Sequence, residues 1–210
     1  MDKTDSVVKE GGTSYACKKS VEDEEAKILC SIYQEAFNVA SLVTPCLQSY
    51  HPEEIMNVFR DEEIIKLISY LDGKPVGLVL ITSNLSKVPW INEKFYAYNF
   101  AEHYQKRMVF YVKSILVSPK FQGTLYGQEG TRILTRLLKL IEAFLPEDSI
   151  FCYDSSLVLN GWFTEFLVKT NPSVHPLNTN WKEGMDHQMY FAFRKNYEEG
   201  YGKKLESGKE

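Results

Sequence analysis

Three glycines, Gly123, Gly127 and Gly130, fall where an apolar strand pattern hands over to a long amphipathic helical pattern in "ILVSPKFQGTLYGQEGTRILTRLLKLI" (115–141). Glycine lets backbone approach a ligand without a Cβ in the way, and a helix N-terminus presents unpaired N–H groups and a partial positive charge. The chemistry such a junction suits is the holding of an anion, above all a pyrophosphate. The bland alternative is a turn followed by a helix that tolerates its glycines. No Lys follows the loop in the P-loop spacing, and no G-x-G-x-x-G is present. Other groups able to move protons or hold charge are Glu102 and His103, just ahead of a strand pattern, and Tyr153, Asp154 and Ser155 at the end of another. Asp154 suits either a cationic amine or a turn cap. The four histidines, His51, His103, His175 and His187, have no metal-ligand spacing with one another or with cysteine, so a metal site is not expected.

The elements that must position these groups are readable in outline. Ser20 precedes acidic Glu22–Glu25 and a helix whose apolar face is Leu29, Ile32, Tyr33, Ala36 and Phe37. A second helix is expected over 51–62, with Pro52 in its first turn. Residues 63–83 read as a hairpin around Asp72-Gly73-Lys74-Pro75, with Gly77 marking a bulge or a close backbone approach. The segment 90–111 carries eight of the chain's 28 aromatics and is expected to form a short helix and loop before a strand at 108–119. Ile133, Leu134, Leu137, Leu138 and Ile141 make the buried stripe of the helix after the glycines, with Arg132, Arg136 and Lys139 on another face. A strand at 149–156, a short helix at 160–170 and a strand at 187–195 complete the order β-α-α-β-β-β-α-β-α-β. This is one mixed α/β (α+β) domain over 13–195, between a flexible tail at 1–12 and a polar tail at 196–210.

Composition narrows the function classes. The chain has 210 residues, 44% hydrophobic and 25% charged, with a net charge of −4. That balance argues against a general nucleic-acid binder. No apolar run approaches the roughly 18 residues of a membrane span, and no signal-peptide core opens the chain. Cys17, Cys30, Cys46 and Cys152 are scattered, so reduced cysteines in a cytoplasmic protein are expected.

Taken together, these residues resemble the GNAT superfamily of acyl-CoA-dependent N-acyltransferases. "YLDGKPVGLVLI" looks like the family's hairpin, with Gly77 on the third strand. "VSPKFQGTLYG" matches V-x-P, two residues, then Q/R-x-x-G-x-G/A at Val117, Pro119, Gln122 and Gly127. Leu125 stands where the family has the first glycine of its pair. A competing register makes Gly130 the terminal glycine, at the cost of a three-residue insertion and the match at Gln122.

The resemblance implies a single GNAT-like domain with a mixed sheet of about six to seven strands and about four flanking helices. It implies acetyl-CoA, or another acyl-CoA, as co-substrate, lying between the strands 108–117 and 149–155. Its pantetheine would pair with the backbone near Leu116 and Val117. Gln122, Gly123, Thr124, Leu125, Gly127 and Gln128 would take the phosphates, with Asn160 matching the family's frequent Asn. The family's strand base is replaced here by Tyr111 and Lys113, and its helix Tyr by Leu167. Tyr111 and Glu102 are the catalytic candidates that remain, and the aromatic segment would wall the acceptor site. The expected activity is acyl transfer, most simply acetyl transfer, to a small-molecule or peptide amine by direct attack in a ternary complex. A catalytically degenerate CoA- or ligand-binding module is the alternative, and a homodimer is compatible with either.

Overall fold

The computed structural model describes residues 7–10, 13–42, 49–121, 128–156, 174–176 and 188–195. Within them run β1 (Val7–Glu10), β2 (Thr13–Lys18), α1 (Asp23–Ser41), α2 (Pro52–Arg60), β3 (Ile65–Leu71) and β4 (Lys74–Thr82). There follow α3 (Glu93–Asn99), α4 (Ala101–Gln105), β5 (Val109–Val117), α5 (Gln128–Phe144), β6 (Ile150–Ser156), β7 (Val174–Pro176) and β8 (Gln188–Lys195). All the strands form one sheet in the order β1-β2-β3-β4-β5-β6-β8-β7. Every neighbouring pair is antiparallel except β5 and β6, which are parallel.

The resemblance implies a mixed sheet of about six to seven strands; among the described residues the sheet is mixed and has eight. The two additions are edge strands. β1 lies inside the segment read as a tail: Glu10 opposes Thr13, so Gly11 and Gly12 are the two residues between paired strands. β7 spans three residues, too short to leave a periodic pattern. The expected helix at 160–170, with Leu167, lies outside the described residues.

The β3–β4 hairpin shows why its turn reads so clearly. Leu71 pairs with Lys74, and the two residues between them, Asp72 and Gly73, have φ of 50° and 76°. Left-handed backbone at both positions is what a type I′ turn requires, and Asp-Gly supplies it at little strain. Gly77 proves to be both things its position suggested. The β3–β4 register shifts beside it, where Ser69 opposes Gly77 but Tyr70 opposes Pro75. A Cβ on Gly77 would also lie 2.9 Å from Ile133 Cγ2 and from Leu137 Cδ1, so α5 rests directly on the β4 backbone.

Two apolar layers hold the sheet. One face carries Leu67, Val79, Ile81, Val112 and Val117 against Ile133, Leu137, Leu138 and Ile141 of α5. The other carries Ile68, Leu78, Leu80 and Leu116 against Leu29, Tyr33, Ile55 and Phe59 of α1 and α2. A third cluster continues this second face: Tyr111 and Cys152 pack under Tyr96, Leu85 and Val88. Among the described residues no helix is long and apolar enough to cross a membrane. Cys30 and Cys152 are free thiols, Cys17 is buried on β2, and Cys46 lies outside the described residues.

Candidate functional site

The parallel pairing of β5 and β6 is short: Val109 with Ile150, Phe110 with Phe151, and Tyr111 with Cys152. Beyond those positions β5 continues along β4 to Val117, while β6 continues along β8 to Ser156. The two strands therefore part after Tyr111 and Cys152. A bulge reinforces the parting. Leu80 opposes Ser114 and Ile81 opposes Val112, which leaves Lys113 as the extra residue of β5. Bulges bend a strand, sharpen its twist and re-aim its side chains. Lys113 and Asp154 each follow the last paired residue of their strand by two positions, on opposite arms of the opening.

A connected group of polar and aromatic side chains lies at the opening, on the face covered by α1 and α2. Tyr111 is fully buried there and its hydroxyl donates to Asp154 Oδ1. Trp90 Nε1 donates to the same oxygen at 3.2 Å. Burial, then the Asp154 charge and the hydrogen bond to it, hold the Tyr111 proton far above the ordinary phenol range. Tyr96 meets the Tyr111 ring edge-on at 6.2 Å. Trp90 in turn packs on Tyr50 at 5.6 Å, and the Tyr50 N–H donates to the Tyr33 hydroxyl at 3.1 Å.

Lys113 occupies the middle of this group. It is buried, its Nζ donates to the Lys87 carbonyl, and it stands 5.1 Å from the Tyr50 ring centre and 5.5 Å from that of Trp90. Burial pulls its ammonium down to about 8, with neighbouring Lys87 pushing the same way and Asp61 opposing. Among the described residues no carboxylate reaches ion-pair distance of it. Chemically the opening therefore offers a carboxylate braced by two donors on one arm and a buried cation on the other. The first can receive a proton from an amine. The second can polarise a carbonyl or hold an anion.

The other residues singled out from sequence fall in several places. Leu116 and Val117 lie on β5 beyond the parting, with Leu116 facing α1 and Val117 facing α5. Gln128 is the exposed first residue of α5. Gly130 belongs to that helix's first turn. Gln122, Gly123, Thr124, Leu125 and Gly127 lie outside the described residues, as does Asn160.

Arg136 turns toward β2, donating to Thr13 Oγ1 at 3.0 Å and lying over the Tyr15 ring, while Arg132 is exposed, 3.5 Å from Glu129. Glu102 is exposed on α4, ahead of the N-terminal end of β5 and so at the closed end of the strand pair. His103 Nε2 sits beside it, 3.3 Å from Asp148 Oδ2 without hydrogen-bond geometry. The structure thus joins Tyr111 to Asp154 and leaves Glu102 apart from both. The aromatic segment divides: Trp90 and Tyr96 wall the opening, while Phe95 and Tyr98 face solvent. Sequence reasoning missed the part played by Lys113, which the bulge aims inward without any local signal.

No protein-family model matches the sequence, and no curated protein matches it. Solved structures do match in shape. An N-acetyltransferase from Staphylococcus aureus Mu50 is 15% identical, with 88% of this chain and 97% of that one covered and a TM-score of 0.49. The PaiA N-acetyltransferase of Thermoplasma acidophilum, in complex with coenzyme A, is 13% identical over 87% and 99%, with a TM-score of 0.46. A GNAT-family acetyltransferase of Bacillus cereus ATCC 10987 is 12% identical over 88% and 99%, with a TM-score of 0.49. Values this low say nothing of reaction or substrate.

Proposed function

We propose that the chain is an acyl-CoA-dependent N-acyltransferase, most simply an acetyltransferase, in which an amine attacks the acyl carbon directly in a ternary complex. One observation carries this reading: β5 and β6 part after three paired residues, and Tyr111, Lys113, Trp90 and Asp154 stand together at the parting. The arm of β5 beyond Tyr111 suits an extended, amide-bearing pantetheine, because a strand edge recognises such a chain through its backbone. Residues near Leu116 and Val117 would hold it, and the N-terminus of α5 at Gln128 suits its phosphates. When bound, acyl-CoA supplies an activated thioester.

The chain's own residues have the simpler tasks of binding, orienting and moving protons. Asp154 is placed to take the proton that an amine must lose before or as it attacks. Tyr111 and Trp90 fix that carboxylate through two donors to one oxygen. Tyr111 acts here by positioning, since its own proton is held too tightly to be given up readily. The buried aromatic wall excludes water from the carbonyl, which strengthens every dipole aimed at it.

The test is release of CoA thiol from acetyl-CoA with a broad panel of amines. Acyl transfer predicts release with at least one amine and its loss in Asp154→Asn. The degenerate-module reading has one observation in its favour, namely that β5 carries Tyr111 and Lys113 at the opening and no carboxylate. It predicts acetyl-CoA binding with no release across the panel.

A further inference from the structure

The polar and aromatic group at the strand parting reaches back to α1 through a series of contacts. Within α1, Phe37 stacks on Tyr33 at 4.3 Å, and Tyr33 meets Tyr50 at 6.3 Å. Tyr50 meets Trp90 at 5.6 Å, and the Trp90 indole N–H ends the series on Asp154 Oδ1 at 3.2 Å. The rings of Tyr50 and Trp90 are also the two that lie near the Lys113 ammonium. A displacement of Tyr50 is therefore felt by both charged groups of the site.

What holds Tyr50 is more specific than ring packing. The residue precedes α2, where backbone N–H groups lack a helical partner, and two successive ones are taken up by side chains. The Tyr50 N–H donates to the Tyr33 hydroxyl at 3.1 Å, and the His51 N–H donates to Glu54 Oε2 at 2.8 Å. Tyr33 is buried, so a ring without the hydroxyl would leave the Tyr50 N–H without its acceptor and with little incentive to stay. At the other end, 3.2 Å is the long limit of a good N–H···O bond. A small shift of the indole weakens that bond, while Tyr111 keeps its own hold on the same oxygen.

We propose that Tyr33 is a positioning residue of the site: its hydroxyl fixes Tyr50, and the Tyr50 ring sets the indole that helps to hold Asp154. Aromatic rings are rigid and pack with preferred tilts, so such a series passes a displacement on instead of absorbing it. The inference rests on the acyltransferase reading only in giving Asp154 a proton to take; the link from α1 to Asp154 stands on the contacts.

The indole N–H signal of Trp90 reports this link. The chain has three tryptophans, and Trp90→Phe identifies the signal in heteronuclear NMR of protein with labelled indoles. Tyr33→Phe, which removes a single oxygen, is expected to move it upfield by more than its line width, because the bond to Asp154 weakens. Tyr50→Leu should move it too, and adding Tyr33→Phe to Tyr50→Leu should change it no further. Ile55→Val, in the same apolar layer, lowers stability but keeps every ring and hydroxyl of the series, and should leave the signal in place. Should Tyr33→Phe fail to fold, Phe37→Leu replaces it, since it loosens the stack on Tyr33 and should shift the signal the same way. The proposal is overturned if the signal stays put in the variant used, or if Ile55→Val moves it equally.

CoA-thiol release from acetyl-CoA with a panel of amines adds the catalytic side. In Tyr33→Phe, kcat should fall about tenfold with KM for acetyl-CoA unchanged. An unchanged kcat overturns the positioning role. A shifted signal in a chain that releases no CoA with any amine removes acyl transfer and keeps the link, whereas release with an unmoved signal does the reverse.

Discussion

Replacing Gly77 by alanine tests how closely α5 is seated on the sheet, and thereby what fixes the helix beside the strand opening. The new Cβ would stand 2.9 Å from Ile133 Cγ2, 2.9 Å from Leu137 Cδ1 and 3.4 Å from the Leu116 carbonyl oxygen. Carbon pairs are at ease at about 3.5–4.0 Å, so both side-chain contacts are short by roughly half an ångström or more. Leu137 Cδ1 is a side-chain tip and can swing, although Leu137 is wholly buried. Ile133 Cγ2 is fixed to its Cβ, so it yields only if the helix shifts.

Overpacking of this kind costs about 1–3 kcal/mol. Losing a glycine from the unfolded ensemble returns about 0.4–1 kcal/mol, since no left-handed φ is required at this position. The midpoints of these ranges leave a net loss of about 1.3 kcal/mol, and Tm should fall by roughly 3–5 °C. Thermal and urea unfolding followed by circular dichroism measure both quantities. Combining Gly77→Ala with Leu137→Ala should cost less than the sum of the two, because the methyl enters the space that the leucine leaves. An unchanged or higher Tm in Gly77→Ala, or simple additivity in the pair, would refute the close seating of α5.

Three further outcomes follow from buried polar groups. Asp154→Ala leaves the Tyr111 hydroxyl and the Trp90 N–H without their shared acceptor, and should destabilise by about 2–5 kcal/mol, whereas Asp154→Asn keeps that oxygen and should cost about 1 kcal/mol. Equal losses in urea unfolding would contradict the shared hydrogen bond. Lys66→Met strips two buried carbonyls of their donor and should lower stability by about 1–3 kcal/mol, while Lys113→Met removes an incompletely paired charge and should leave stability at neutral pH unchanged or higher.

The lysines also set a pH dependence. Both are drawn by burial from 10.5 to about 8 in the folded protein, so above pH 8 the unfolded chain holds more protons than the native one and stability rises with pH. Cys152, raised from 9.0, and the buried tyrosines, raised from 10.0, keep their protons in the native state and reverse the trend at higher pH. Urea midpoints should therefore climb between pH 8 and 9, and less so in Lys113→Met; a flat or falling profile in wild type would contradict the burial of these ammoniums.

Much of the fold was legible because its signals are local. Asp72-Gly73 supplies the dihedrals of a two-residue turn, and the stripe from Ile133 to Ile141 has the period of a helix on a sheet. Gly11-Gly12 carries a hairpin signal too, yet β1 beside it is a short edge strand without a clear alternation of its own. The site was legible only in pieces. Tyr111 and Asp154 could be picked out as residue types at strand ends, but the bond between them spans 43 positions of sequence and needs the parallel pairing to bring it about. Trp90 reaches Asp154 across 64 positions, and nothing beside either residue announces it. The bulge that turns Lys113 inward contains neither glycine nor proline and arises from the mismatch between β4 and β5 registers. Glu102 looked apt by proximity to a strand, but it precedes the wrong end of it.

Hydrogen–deuterium exchange with and without saturating acetyl-CoA tests the proposed cofactor groove most directly. Protection is predicted along the separated arm of β5, Val112 to Val117, and in the first turn of α5 from Gln128. The absence of protection at both places with millimolar ligand, or protection confined to another part of the sheet, would contradict the account.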